Sequence, residues 1–225
     1  ARILGSLDRG VSSGKITGRE REQASLRLRF TTDLGDFADR QLVVEAIVED
    51  EAAKTAVFRE LDEVVTDPDA VLASNTSSIP IMKLGTCTAR PERVIGMHFF
   101  NPVPVLPLVE LVSTLETGAG IRERAERFAE QVLGKQVVHS ADRAGAVVNA
   151  LLVPYLLSAV RMAESGFATP EDIDKAMVLG CAHPMGPLAL ADLVGLDTVM
   201  AIADSMYTEF REPLYAPPPL LRRMV

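Results

Sequence analysis

Apolar positions recur at helical spacing from the start of the chain, where Ile3, Leu4, Leu7 and Val11 share one helix face. Ser13-Gly14 breaks that helix, and Thr17 is placed to cap a short polar one behind it. Phe30-Thr31-Thr32 reads as a short extended segment, and residues 42–48 form a β-branched run of the kind that fills a buried parallel strand. Asp50-Glu51 then opens a helix to about residue 66, where acidic side chains favour the positive end of the helix dipole. The pattern continues with a strand over 70–73, the polar cluster Ser74-Asn75-Thr76-Ser77-Ser78, a short helix over 80–84 and a strand over 93–98. Residues 106–112 are a further strand, 121–133 a helix and 136–139 a closing strand.

Strands alternating with helices argue for a mostly parallel α/β sheet of Rossmann type, covered on both faces, with ligands at the carboxyl ends of the strands. Beyond Asp142 only helical periodicity remains, at about 147–165, 170–180, 187–194, 197–210 and 218–225. Thr169 caps the second of these, with Pro170 at its first position. The expected organisation is an α/β domain over 1–141 and an all-helical domain over 142–225.

Composition narrows the function classes. The chain has 225 residues, 48% of them hydrophobic and 24% charged, the balance of an ordinary globular protein. Lys and Arg number 23 against 31 Asp and Glu, a net charge of −8 that repels phosphate backbones and argues against nucleic acid as a partner. The richest apolar stretch, 147–160, is interrupted by Asn149, Pro154 and Ser158 and is too short to span a bilayer, so no membrane association is expected. Cys87 and Cys181 make no disulfide framework, and no Cys/His spacing suggests a metal, which fits a reducing, cytoplasmic setting. No signal peptide pattern is visible. Residue 1 is Ala, within a helical pattern, and Leu220, Leu221, Met224 and Val225 fit a helix without a stop signal, so the expectation is a piece of a longer protein.

The candidate chemistry is concentrated in few residues. His98 ends a strand and precedes a loop stiffened by Pro102 and Pro104, a setting that suits a general base, although lone histidines are more often structural. His139 reads as exposed, and His183, in the Ala-His-Pro-Met-Gly-Pro turn, as structural. Glu110 is a carboxylate within an apolar strand run; it either faces outward or pairs with a histidine, holding the imidazole in one tautomer. The cluster at 74–78 either binds a ligand at a strand end or caps the following helix through Ser77 or Ser78. Asn149, at the start of the long apolar helix, needs a hydrogen-bond partner.

Several long motifs in order resemble the 3-hydroxyacyl-CoA dehydrogenase family, in particular its stand-alone bacterial 3-hydroxybutyryl-CoA dehydrogenases. They are Val44-Glu-Ala-Ile-Val-Glu49, Ala73-Ser-Asn-Thr-Ser-Ser78, Gly96-Met-His-Phe-Phe-Asn-Pro-Val-Pro104, Leu108-Val-Glu110, Val148-Asn149 and His183-Pro-Met-Gly-Pro187 with Asp192-Leu-Val-Gly-Leu-Asp197. The resemblance implies an oxidoreductase that interconverts short-chain (S)-3-hydroxyacyl-CoA and 3-oxoacyl-CoA, such as 3-hydroxybutyryl-CoA and acetoacetyl-CoA, in fatty-acid or butyrate metabolism. It implies His98 as the catalytic histidine, Glu110 as its carboxylate partner, and Ser77 and Asn149 as hydrogen-bond partners of the substrate oxygen. Glu49, Lys54, Ser77 and Asn101 match positions near the cofactor, NAD or NADP, while Ser6 and Lys15 match positions near coenzyme A. A homodimer through the helical domain is implied as well.

The family pattern is not complete here. It opens with a strand and a G-x-G-x-x-G turn that carries the pyrophosphate, and it closes with a Gly/Lys-rich tail. Neither occurs in residues 1–225, where Gly5, Gly10 and Gly14 have the wrong spacing, so these residues alone are expected to bind NAD weakly or not at all. Asp142-Arg-Ala-Gly-Ala146 carries Ala144 and Ala146 where the family usually has Pro and Phe. Two rival readings are a β-hydroxyacid dehydrogenase acting on free acids and a non-enzymatic structural member of the fold. The first needs a lysine on the long helix, which offers Asn149 and no lysine before Lys175.

Overall fold

The computed structural model describes residues 2–225. They form two compact units, one ending at Asp36 and the other spanning Phe37–Val225. The first unit holds helices α1 (Arg2–Ser12) and α2 (Gly18–Leu26). The Thr17 hydroxyl accepts from the Glu20 backbone N–H and the Glu20 carboxylate accepts from the Thr17 N–H, a reciprocal cap that starts α2 where the sequence predicts it. The segment at 30–32 joins no sheet; it leads into a 3₁₀ turn at Leu34–Phe37.

The second unit is built on a five-stranded sheet: β1 (Leu42–Glu45), β2 (Val71–Ser74), β3 (Val94–Phe99), β4 (Leu108–Ser113) and β5 (Gln136–Ala141), in that spatial order. Between them lie α3 (Glu51–Val64), α4 (Ile81–Gly85) and α5 (Ala119–Arg127), the last running on through a π-turn at Phe128–Val132. Three of the four pairings are parallel, but β3 and β4 are antiparallel. The connection at 100–107 is too short for a parallel crossover, which needs a dozen residues or more.

Helices α4 and α5 pack over the inner strands, where Val71, Ile95, Met97, Val109 and Leu111 are buried against Ile121 and Ala125. The outer strands are not covered on both sides as the alternation predicts: Val44 on β1 is 37% exposed and Val138 on β5 is 40% exposed. Gly96 lets α4 approach the sheet, since a Cβ there would meet Ile81 and Val112 at 3.0 and 2.8 Å.

After β5 the chain is helical: α6 (Val148–Glu164), α7 (Pro170–Cys181), α8 (Pro187–Val194), α9 (Leu196–Phe210) and α10 (Pro219–Met224). Thr169 caps α7 through the Asp172 N–H. The stripe Val153, Leu156, Leu157 and Val160 buries one face of α6 against Val199, Ala203 and Met206 of α9. Each such side chain contributes about 1.5–3 kcal/mol on burial, which lets α6 continue through Pro154 despite the missing N–H.

Candidate active site

The register of the β3–β4 pair sets His98 directly opposite Glu110. Cross-strand partners share a sheet face, so the two side chains meet without help from loops. His98 Nδ1 is 2.8 Å from Glu110 Oε2; His98 is 5% exposed and Glu110 fully buried. The other oxygen, Oε1, accepts the backbone N–H groups of Val147 and Val148 at 3.0 and 2.8 Å, just ahead of and at the start of α6. With a carboxylate at Nδ1, that nitrogen carries the hydrogen and Nε2 presents its lone pair. The Ser77 hydroxyl lies 3.1 Å from Nε2, and the Phe100 ring tilts against the imidazole at 4.6 Å between centroids. Alternation along β4 left Glu110 either outward or paired; it is buried and paired.

Ser77 belongs to the loop that leaves β2, and the loop is held on several sides. Asn75 donates its N–H to the Glu45 carbonyl at 2.9 Å and accepts the Phe99 N–H at its Oδ1 at 2.8 Å. Glu49 Oε1 accepts the N–H groups of Ser77 and Ser78 at 3.0 and 3.1 Å, together with the hydroxyls of Thr76 and Ser78. Burial pushes the Glu49 carboxyl up, but the Thr76 hydrogen bond, the charge of Lys54 and the Ser78 hydrogen bond outweigh it and hold the group below the ordinary carboxylate range. Neither Ser77 nor Ser78 caps the next helix, contrary to the simpler reading of the cluster. Asp142 does so from the far side of the cleft, accepting the Ile81 and Met82 N–H groups at 2.8 and 2.7 Å.

Asn149 is 8% exposed and lies on the first turn of α6, next to the amides that hold Glu110. Asn101 is exposed in the loop after β3. Lys54 on α3 is buried between Glu45 and Glu49. Ser6 on α1 and Lys15 in the α1–α2 turn are exposed on the first unit. Glu45 and Asp142 are parts of the site for which the sequence suggested no role, and Asn75 and Thr76 were named only as members of the 74–78 cluster. Glu45 carried a usable signal, being a carboxylate inside an apolar strand run like Glu110. His183 accepts from or donates to the Tyr155 hydroxyl at 3.0 Å, a packing role, and exposed His139 lies 3.2 Å from Glu126.

A serine, a histidine and a glutamate in line are also the parts of an acyl-transfer triad. That chemistry needs free backbone N–H donors beside the serine to stabilise an oxyanion. Here the Ser77 and Ser78 N–H groups are taken by the Glu49 carboxylate, which would repel developing negative charge. The arrangement suits proton transfer at Nε2 instead, with Ser77 marking where an oxygen hydrogen-bonds.

The cleft lined by Ser77, His98, Asp142 and Gly145 has a free volume of only about 10 Å³. Larger hollows exist in the second unit, including an apolar groove of about 720 Å³ on the helical half, but the carboxylate-paired His98 and its Ser77 neighbour line the small one. At the carboxyl ends of the parallel strands β1–β3, the pinned carboxylate of Glu49, an acceptor, and the exposed amide of Asn101, which can donate and accept, fit a dinucleotide's ribose hydroxyls and carboxamide.

Comparison with known proteins agrees with this geometry. A family model described as the NAD binding domain of 3-hydroxyacyl-CoA dehydrogenase matches residues 1–143, and the C-terminal domain of the same family matches 145–225. The 3-hydroxybutyryl-CoA dehydrogenase of Mycobacterium tuberculosis is 68% identical over 224 residues, covering 100% of this chain and 78% of that protein. The probable 3-hydroxybutyryl-CoA dehydrogenase of Deinococcus radiodurans is 46% identical over 220 residues, covering 98% of this chain and 78% of that protein. The crystal structure of M. tuberculosis FadB2 matches with a TM-score of 0.97 at 68% identity, covering 99% of this chain and 78% of that one. The (S)-3-hydroxybutyryl-CoA dehydrogenase PaaH1 from Ralstonia eutropha matches with a TM-score of 0.93 at 42% identity, with coverage of 99% and 78%. With the paired His98 and Glu110 at the strand ends and both domain models accounted for, this chain belongs to the 3-hydroxyacyl-CoA dehydrogenase family.

Proposed function

We propose that the protein interconverts short-chain (S)-3-hydroxyacyl-CoA and 3-oxoacyl-CoA, with 3-hydroxybutyryl-CoA and acetoacetyl-CoA as the substrate pair and His98 as general acid and base. The observation that carries this reading is the line from Ser77 through His98 to Glu110, with the neighbouring backbone amides closed off by Glu49. In the oxidative direction His98 Nε2 takes the proton of the C3 hydroxyl. Glu110 stabilises the imidazolium that forms, and the two α6 amides keep that carboxylate in place. Ser77 and Asn149 hydrogen-bond the C3 oxygen as its charge changes, and in reduction each role reverses. When bound, NAD or NADP supplies the hydride acceptor or donor, held by Glu49 and Asn101, with Lys54 acting behind Glu49. Ser6 and Lys15 are the proposed coenzyme A contacts.

Gly145 and Ala146, both with positive φ, turn the link between the sheet and α6 at the edge of the cleft. We place the boundary between the nucleotide domain and the helical domain at 141/142, where β5 ends. The exposed apolar face of Leu151, Met185 and Leu193 supports a homodimer through the helical half. The free thiols Cys87 and Cys181 support a cytoplasmic location. No helix among the described residues is long and apolar enough to cross a membrane.

Steady-state assays of the full-length protein test the assignment. His98→Gln should lower turnover of 3-hydroxybutyryl-CoA roughly 10²–10⁴-fold, the usual worth of a general base, and near-wild-type rates would sink it. Equal kcat/KM for free 3-hydroxybutyrate and its coenzyme A ester would move the protein to the free-acid class.

A further inference from the structure

We propose that Glu45 is a positioning residue for this reaction: acting through Lys54 and Glu49, it holds Ser77 opposite His98. The inference rests on the reading of His98 as the general base. Glu45 closes β1, and its side chain is 1% exposed. Its carboxylate is fully occupied. Oε1 accepts from Lys54 Nζ at 2.7 Å and the Ile47 N–H at 2.6 Å, while Oε2 accepts from Lys54 Nζ at 3.0 Å and the Ser74 hydroxyl at 2.6 Å. Lys54 is equally buried, and its ammonium reaches past Glu45 to Glu49 Oε2 at 3.2 Å. Glu49 then turns its other oxygen to the Ser77 and Ser78 amides.

The chain of contacts runs from a buried anchor to an exposed loop. Glu49 is 40% exposed, and a carboxylate so placed samples several rotamers unless something fixes it. Lys54 holds its Oε2 while the Thr76 and Ser78 hydroxyls hold its Oε1, and Glu45 fixes Lys54. A buried ion pair is a poor device for stability, because two well-packed apolar residues serve as well. Here the pair has a third member whose other oxygen is bonded to the loop that carries Ser77, and that arrangement transmits geometry. Ser74 ties the same carboxylate to the end of β2, whose neighbour β3 leads to His98.

The test compares full-length enzymes carrying Glu45→Gln, Ser77→Ala and both changes. Glu45→Gln should lower kcat between about 10- and 100-fold with KM moved less than about 3-fold, because a small misplacement of a catalytic group is costly. In the Ser77→Ala background the same change should cost less than about 3-fold, since residues acting through one another are not additive. A Glu45→Gln/Lys54→Met enzyme covers the case in which an unpaired buried Lys54 prevents folding. It should recover the wild-type melting temperature while kcat stays depressed. Additive losses with Ser77→Ala, or wild-type kcat in the charge-free double variant, would overturn the proposal. His98→Gln run alongside separates the two levels: if it retains turnover, the general-base reading fails and this one with it. If it loses turnover while the Glu45 variants do not, only the positioning role fails.

Discussion

The two halves of the second unit bury different things. The sheet half buries Glu45, Lys54, Asp62, Arg93, His98 and Glu110 along with Ser74 and Thr76, whereas among the described residues Asn149 alone is a buried polar side chain of the helical half. Around Leu157 the helical half gains stability from apolar area. The sheet half holds charges in a setting where each must be paired, and it gains little stability by doing so. The contrast teaches where the chemistry is: one half supplies rigidity and two backbone amides, the other a set of charges in fixed positions.

Substitutions on the two sides should therefore separate activity from stability. The largest effect is expected for Glu110→Gln, which keeps an acceptor for the Val147 and Val148 amides but withdraws the charge from His98. Turnover should fall by about 10²–10⁴-fold while the fold persists, as for a triad carboxylate turned into an amide. A loss of cooperative unfolding in place of turnover would erase the contrast. Leu157→Ala, at a site with no exposure, is the mirror experiment. Denaturant unfolding should register a loss of about 2–5 kcal/mol with kcat of the folded fraction unchanged.

Gly145→Ala probes the hinge that joins the halves. Its φ is +82°, and a Cβ would meet Met206 Cε at 2.8 Å and the Ala150 amide at 3.1 Å. A cost of about 1–3 kcal/mol in thermal unfolding is expected, and an unchanged melting temperature would show that the hinge is not packed as described. The smallest effect concerns Glu49. Its folded value lies below the unfolded one, so its contribution is present above the ordinary carboxylate range and is lost as pH falls through the folded value. Wild type should thus lose slightly more stability on acidification than Glu49→Gln. The difference should be no more than a few tenths of a kcal/mol, because the side chain is 40% exposed and solvent screens it. Parallel acid limbs for the two proteins would remove Glu49 as the loop's anchor.

Much of the fold is legible in single segments. The helix over 50–66 is seen at Glu51–Val64, with Asp50 accepting the Ala53 N–H as its cap, and the strand over 93–98 is seen at Val94–Phe99. The antiparallel direction of β4 could not be read from its own residues, since an apolar strand run looks the same in either orientation; only the short link at 100–107 carries it. Of the candidate site, His98, Glu110 and Ser77 were visible as residue types in telling places. Glu45 was hidden in a strand motif, and Asp142 stands 61 residues beyond the start of the helix it caps.

What the sequence determined by itself is everything that neighbours along the chain decide. Periodicity marks which face meets water, Thr17, Asp50 and Thr169 cap the helices that follow them, and the short link at 100–107 forces β3 and β4 antiparallel. Only the tertiary structure decided which charges meet. Glu45 with Ser74, Glu49 with Ser77, and Asp142 with Ile81 are separated by 29, 28 and 61 residues. The physical reason is that a local pattern records how much burial a residue needs, while the partner of a buried charge is chosen by how whole elements pack.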